Sequence, residues 1–109
     1  MFDWVGAPFT IVAMTMIATY EGTEIARSDH TVVVEGNHYF PAQDVKDGVL
    51  VPTETHTTCP WKGEASYYSV VVGEHTNPDA AWYYPAPKEA AKEILDHVAF
   101  WKGITVSEV

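Results

Sequence analysis

The chain contains a single cysteine, and it has only six basic residues against fifteen acidic ones. One cysteine cannot form an internal disulfide, which fits a reducing compartment such as the cytoplasm. There is no run of lysine or arginine, and the formal net charge is −9. Binding to nucleic acid or to an anionic membrane requires clustered positive charge, so neither partner is expected.

A long hydrophobic run is also missing. Thr10 and Thr15 interrupt the apolar start of the chain, whereas a membrane span needs about 20 apolar residues. Asp3 stands where a signal peptide would be basic. Residues 1–15 are therefore interpreted as a loosely held leader or a mis-called start with no evident β-partner. Residues 16–109 are predicted to form a single domain.

Motifs for metal and phosphate chemistry are absent from the sequence. There is no C-x-x-C pair, and His56-x-x-Cys59 is the only close spacing typical of zinc ligands, so no metal is expected. There is no G-x-x-x-x-G-K-[S/T] loop, and no D-x-D or D-x-E pair that would hold magnesium. Chemistry on a nucleoside triphosphate is therefore not expected, and no cofactor is predicted.

What the sequence does contain is a series of short β-type segments. Residues 16–27 are predicted to form a β-hairpin around Glu21-Gly22. Residues 64–73 form the clearest strand, with 80–84 as its partner after a turn at 74–78. Residues 53–63, which contain Thr, Pro and Gly, are predicted to be an ordered loop.

One helix is predicted near the C-terminus. Pro85 and Pro87 suit its first turn, and a core-facing stripe recurs at helical spacing, formed by Ala90, Ala91, Ile94 and Leu95. Closing strands are predicted at 98–101 and 104–106. The predicted fold is thus a small, mainly β domain of curved sheets with one short α-helix.

Three segments are long and specific enough to indicate a family: residues 35–41, 55–70 and 77–85. They resemble domain-of-unknown-function family four-two-seven, sometimes labelled a nucleotidyltransferase, over about residues 16 to 106. The resemblance implies a β-tent of the Mss4-like group, which includes type-B methionine sulfoxide reductases and the ligand-binding domain of cereblon. Those relatives usually hold zinc through paired C-x-x-C motifs, which this chain lacks, and they place a ligand or substrate in a cleft.

Cys59 is the candidate catalytic residue. A thiolate is a strong nucleophile when a nearby cation lowers its pKa, and His56 and Lys62 each lie three residues away. The alternative is a buried thiol that packs like a small apolar residue.

The chain also has four tryptophans and six tyrosines, which suit the walls of a pocket. By analogy with the β-tent relatives, we predict an aromatic cleft for an unidentified small molecule, with ligand-binding residues His38, Tyr39, Trp61, Tyr68, Trp82 and Tyr84. The alternatives are an enzyme that uses Cys59 in that cleft, or a module whose aromatic residues contact a protein partner.

Overall fold

The computed structural model describes residues 10–11 and 14–109, and these residues form two antiparallel sheets. The strands are β1 (Thr10–Ile11), β2 (Met16–Tyr20), β3 (Thr23–Ser28), β4 (Val32–Val34), β5 (Asn37–Pro41), β6 (Leu50–Cys59), β7 (Gly63–Val72), β8 (His75–Tyr83), β9 (His97–Phe100) and β10 (Thr105–Glu108). The large sheet has the order β1-β4-β5-β9-β8-β7-β6, and the small sheet has the order β10-β2-β3. The prediction of a mainly β domain is confirmed.

Two tight hairpins follow from residues that adopt positive φ. Glu21 and Gly22 have φ of 52° and 75°, and Glu35 and Gly36 have φ of 54° and 81°. Two consecutive left-handed residues form the type I′ turn, whose twist matches that of the flanking strands. The predicted hairpin at residues 16–27 is therefore confirmed as β2 and β3.

The predicted loop at residues 53–63 is wrong, because most of it belongs to the ten-residue strand β6. This strand lies at the edge of the large sheet. An edge strand tolerates Pro52, which has no backbone N–H to donate, because one side of the strand has no neighbouring strand. Thr53 and Thr55 donate hydrogen bonds of 2.7 and 2.8 Å to the carboxylate of Asp79. The predicted turn at 74–78 is also displaced, since β8 already begins at His75.

The predicted α-helix is a 3₁₀ helix at Glu89–Ile94, kinked at Ala91, whose φ is −124°. Ala91 and Ile94 are buried as the helical stripe predicted, whereas Leu95 is 46% exposed. A shorter 3₁₀ turn spans Ala42–Asp44. Both segments are flanked by extended residues. A segment of at most six residues allows too few α-helical hydrogen bonds to offset the free-energy cost of nucleating an α-helix.

The leader interpretation falls mainly on residues 1–9 and 12–13, which lie outside the described residues. Within it, Thr10 and Ile11 pair with Val33 and Val32 of β4. The expectation that the leader has no β-partner is therefore wrong for β1. The carbonyl of Thr15 also accepts a 3.0 Å hydrogen bond from the backbone of Val109.

Two hydrophobic clusters lie on opposite faces of the large sheet. The main core includes residues of both sheets, among them Ile25, Phe40 and Val70, and so fills the space between the sheets. The second cluster includes Tyr39 and Ala99 and is covered by the 3₁₀ helix at Glu89–Ile94. Every aromatic strand residue therefore belongs to one of two environments, according to the face it occupies.

Candidate functional site

Six of the nine predicted site residues come together on the face of the second cluster. We call this group the Lys62 cluster; its members are Tyr39, Cys59, Trp61, Lys62, Trp82 and Tyr84. Alternation along β8 places Trp82 on this face and Tyr83 on the other, as the sequence predicted. The Lys62 cluster lies close to the hairpin turn between β6 and β7.

Lys62 is buried, with only 8% of its side chain exposed, and it forms an ion pair with Glu35 on the β4–β5 turn. Its ammonium nitrogen lies 5.3 Å from the ring centroid of Trp61 and 5.6 Å from that of Tyr84. Burial alone would lower the pKa of Lys62. The hydrogen bond to Glu35 and the nearby Tyr39, Tyr84 and Cys59 outweigh burial, so the pKa is raised. Lys62 is therefore a paired cation and is not poised to act as a base.

Three aromatic rings form a chain across the same face. The Trp82 indole donates a 3.0 Å hydrogen bond to the hydroxyl of Tyr39, which is 1% exposed. Trp82 also meets Trp101 edge to face, with centroids 5.7 Å apart. The Trp101 indole in turn donates a 2.7 Å hydrogen bond to the carbonyl of Asp79. Tyr39 is thus a buried structural residue, whereas Trp101 is 46% exposed.

His56 and Cys59 lie on opposite faces of the large sheet. Cys59 packs in the second cluster, whereas His56 is paired with Ser66 and lies 3.2 Å from its hydroxyl through Nδ1. The structure therefore brings Lys62, but not His56, to the face of Cys59. Within the described residues no group of three His, Cys, Asp or Glu side chains is arranged to hold a metal ion.

His38 and Tyr68 also lie away from the Lys62 cluster. His38 precedes Tyr39 in β5 and so faces the other way; its Nδ1 lies 2.9 Å from the hydroxyl of the buried Thr31. Burial lowers the pKa of His38, so its imidazole is neutral at pH 7. Tyr68 packs against the main core.

Tyr68 belongs instead to a concave site, which we call the tyrosine cleft. The rings of Tyr68 and Tyr83 stack with centroids 4.6 Å apart and planes inclined by 18°. They line a cleft of about 230 Å³ together with Ala42, Tyr84, Pro85, Asp96, His97 and Val98. Two predicted ligand-binding residues, Tyr68 and Tyr84, therefore line this cleft.

Backbone pairing holds the part of the tyrosine cleft that is lined by Ala42, Asp96 and His97. His97 pairs with Pro41 across β9 and β5, and the amide of Ala42 donates a 2.8 Å hydrogen bond to the carbonyl of Asp96. Asp96 has φ of 62°, a left-handed conformation that aspartate and asparagine tolerate best among residues with a Cβ. His97 Nδ1 lies 2.8 Å from the carbonyl of Leu95, so Nδ1 is the donor in this hydrogen bond.

A second cavity of about 310 Å³ lies between β3 and the 3₁₀ turn at Ala42–Asp44. Charged side chains line much of it, and Arg27 forms an ion pair with Glu24 at its wall. It contains none of the predicted site residues and no aromatic side chain among its described lining residues. The tyrosine cleft is therefore the better candidate for an organic ligand.

Sequence reasoning misses Tyr83, Asp96 and His97 as site residues. Alternation places the Tyr83 ring on the opposite face from Trp82, but its stacking on Tyr68 depends on the register in which Ser66 pairs with Tyr83 and Tyr68 with Ala81. The sequence carries no signal for Asp96 and His97, because their place in the cleft comes from the pairing of β9 with β5.

The two antiparallel sheets and the absence of a long helix among the described residues define a small, mainly β domain. The chain belongs to the family described as Domain of unknown function (DUF427), whose model matches residues 12–109. No curated protein matches the chain. Across residues 10–11 and 14–109, no helix has both the length and the apolar character needed to cross a membrane.

Proposed function

We propose that this domain binds a small organic molecule in the tyrosine cleft. The observation that carries the proposal is the stacked pair of Tyr68 and Tyr83, which forms one wall of a concave space instead of closing over it. Ligand sites combine apolar or aromatic walls with a few polar groups. Here the polar groups are the tyrosine hydroxyls, Asp96 and His97.

The size of the cleft limits the ligand. Sites for drug-sized molecules have volumes of about 300–1,000 Å³, and the tyrosine cleft has about 230 Å³. Burial, and next the neighbouring Tyr83, raise the pKa of Tyr68, so its hydroxyl is protonated at pH 7 and can donate a hydrogen bond. A compact molecule with one apolar part and one or two polar groups fits this site best.

The family resemblance supports the same function. The two antiparallel sheets agree with the β-tent architecture of the Mss4-like group, in which ligands occupy a cleft. We propose a cytoplasmic location, because a single cysteine is typical of proteins in reducing compartments.

An enzyme that uses Cys59 is the alternative function, supported by the place of Cys59 on the same face of the sheet as Lys62. However, Lys62 is paired with Glu35, and His56 faces the other side of the sheet. A general base and an orienting partner are therefore not assembled around this thiol. An interaction with a protein through the half-exposed Trp101 is the remaining alternative.

A fragment screen by ligand-observed NMR tests the proposal, using neutral, cationic and anionic molecules small enough for the cleft. The matched variant is Ala42→Trp, which places a large ring at an exposed position on the rim of the cleft. Ala90→Trp is the control, because Ala90 is exposed on the other 3₁₀ helix. We expect hits that Ala42→Trp abolishes and Ala90→Trp retains; a screen without such hits would contradict the proposal.

A further inference from the structure

We infer that the ligand of the tyrosine cleft is a small organic cation, an amine or a quaternary ammonium compound. This inference rests on the proposed function and adds the charge of the ligand. It follows from which charged and polar groups line the cleft and which do not.

The formal charge in the cleft is negative. Among its described lining residues, Asp96 is the one carboxylate, and neither lysine nor arginine is present. An anionic ligand would thus enter without a cationic partner and beside a carboxylate, at a cost in desolvation and repulsion. The net charge of −9 adds a long-range field that attracts cations.

The aromatic wall also favours a cationic ligand. The face of a tyrosine ring carries the negative end of its quadrupole and attracts ammonium groups within about 6 Å. The Tyr68 and Tyr83 rings stack with centroids 4.6 Å apart and planes inclined by 18°, so each covers one face of the other and leaves only its outer face for an ammonium group. An ammonium group against such a ring face has the carboxylate of Asp96 among the other groups that line the cleft.

The Lys62 cluster shows that this chain already uses aromatic rings in this way. On the opposite face of the sheet, the Lys62 ammonium lies 5.3 and 5.6 Å from the centroids of Trp61 and Tyr84, and Glu35 supplies the carboxylate. There the cation belongs to the protein itself. The tyrosine cleft combines aromatic rings with one carboxylate in the same manner, but its described residues include no lysine or arginine.

Choline and its uncharged isostere 3,3-dimethylbutan-1-ol provide the sharpest test, because they differ only in the charged nitrogen. Titrations followed by the NMR signals of the Tyr68 and Tyr83 rings give both affinities. We expect choline to bind at least about fivefold more tightly, the effect of a partly desolvated cation–π contact. Equal binding of the two molecules in the cleft would overturn the inference and leave the proposed function standing.

Variants separate selectivity that comes from the cleft itself from selectivity that comes from the net charge of the protein. Asp96→Asn keeps a residue that tolerates the left-handed backbone and removes the charge, so it should weaken choline and leave the isostere unchanged. Glu108→Gln, on the exposed strand β10, controls for net charge and should change neither affinity. Tyr83→Phe should retain choline binding and Tyr83→Leu should lose it.

If Asp96→Asn and Glu108→Gln weaken choline equally, the selectivity comes from net charge and the inference fails. If neither choline nor the isostere shifts the tyrosine signals, the inference fails as well. The proposed function is then decided separately by whether the fragment screen gives hits that Ala42→Trp abolishes.

Discussion

Lys62 and Glu35 form an ion pair that joins the tips of two hairpins, the β6–β7 turn and the β4–β5 turn. The pair is asymmetric, because 8% of the Lys62 side chain and 51% of the Glu35 side chain are exposed. The Trp61 indole also donates a 3.3 Å hydrogen bond to Glu35. Glu35 therefore neutralises a cation that is itself withdrawn from water.

Removing the charge of Glu35 should cost more stability than removing Lys62. Glu35→Gln leaves the buried ammonium without its counter-charge, and we expect a loss of about 1–2 kcal/mol in the free energy of unfolding. Lys62→Met removes the buried charge together with its desolvation cost, so its loss should be smaller. Urea denaturation of both variants and the double variant checks this order, and the reverse order would contradict the account.

The same pair predicts a pH dependence. Hydrogen bonds from Lys62 and then from Trp61 lower the pKa of Glu35 in the folded state. A lowered folded-state pKa stabilises the protein fully above the unfolded value of about 4.3 and no longer does so once the pH falls through the lowered value. The stability difference between wild type and Glu35→Gln should therefore be constant above about pH 5.5 and shrink as the pH falls below about 4. A difference independent of pH from about 2.5 to 7 would contradict this prediction.

Gly63 follows Lys62 and closes its turn at φ +115°, where a Cβ would lie 3.3 Å from the carbonyl oxygen of Ala86. Gly63→Ala should therefore be strained both locally and against the next segment. Gly36→Ala is the matched control, because Gly36 also has positive φ but a Cβ there would have no atom within 4 Å. We expect Gly63→Ala to lower the free energy of unfolding by about 1–2 kcal/mol more than the control does. Equal losses would show that the backbone at Ala86 shifts to accommodate the added Cβ, and they would contradict this prediction.

Trp82 should matter for stability and not for binding in the tyrosine cleft. Trp82→Phe keeps a ring but leaves the buried Tyr39 hydroxyl without its 3.0 Å hydrogen bond, at a cost of about 1–2 kcal/mol. Trp101→Phe is the comparison. Because Trp101 is half-exposed, loss of its indole hydrogen bond should cost less free energy of unfolding. Urea denaturation gives both losses. Loss of ligand binding in a folded Trp82→Phe protein would instead place the site at the Lys62 cluster.

Chelation should leave the fold unchanged. The paired cysteine motifs that hold zinc in the Mss4-like group are missing from the sequence, and the described residues contain no cluster of three metal-ligating side chains. We expect the same melting temperature with and without EDTA and no stoichiometric zinc by elemental analysis. One zinc per chain and a large drop in melting temperature on chelation would contradict this expectation.

The elements that the sequence predicts well are those determined by local chemistry. The β2–β3 hairpin follows from Glu21-Gly22 between β-branched and apolar residues, and the faces of β7 and β8 follow from alternation. Strand β6 is not predictable in this way because its Thr, Glu and His residues are exposed on both sides, so no alternation marks an edge strand. The prediction of a C-terminal α-helix rests on apolar spacing, which does not distinguish an α-helix from a kinked 3₁₀ helix.

The sequence identifies most of the individual aromatic residues of the candidate site, but it does not predict which of them lie on the same face of the sheet. Alternation separates Tyr68 from its neighbour Tyr67 along one strand, yet it does not show that Tyr68 and Trp82 on adjacent strands face opposite ways. The pairing of Tyr67 with Trp82 and of Tyr68 with Ala81 decides that relationship. The predicted single cleft is therefore divided between the Lys62 cluster and the tyrosine cleft.

The most direct test of the proposed binding site is a set of intermolecular NOEs from a bound fragment to the aromatic protons of the protein. Tyr68 and Tyr83 line the tyrosine cleft on one face of the large sheet, and Trp61 and Trp82 lie on the other. We expect NOEs to the rings of Tyr68 and Tyr83 and none to the two tryptophans. NOEs to Trp61 or Trp82, without any to the tyrosine pair, would contradict binding in the tyrosine cleft.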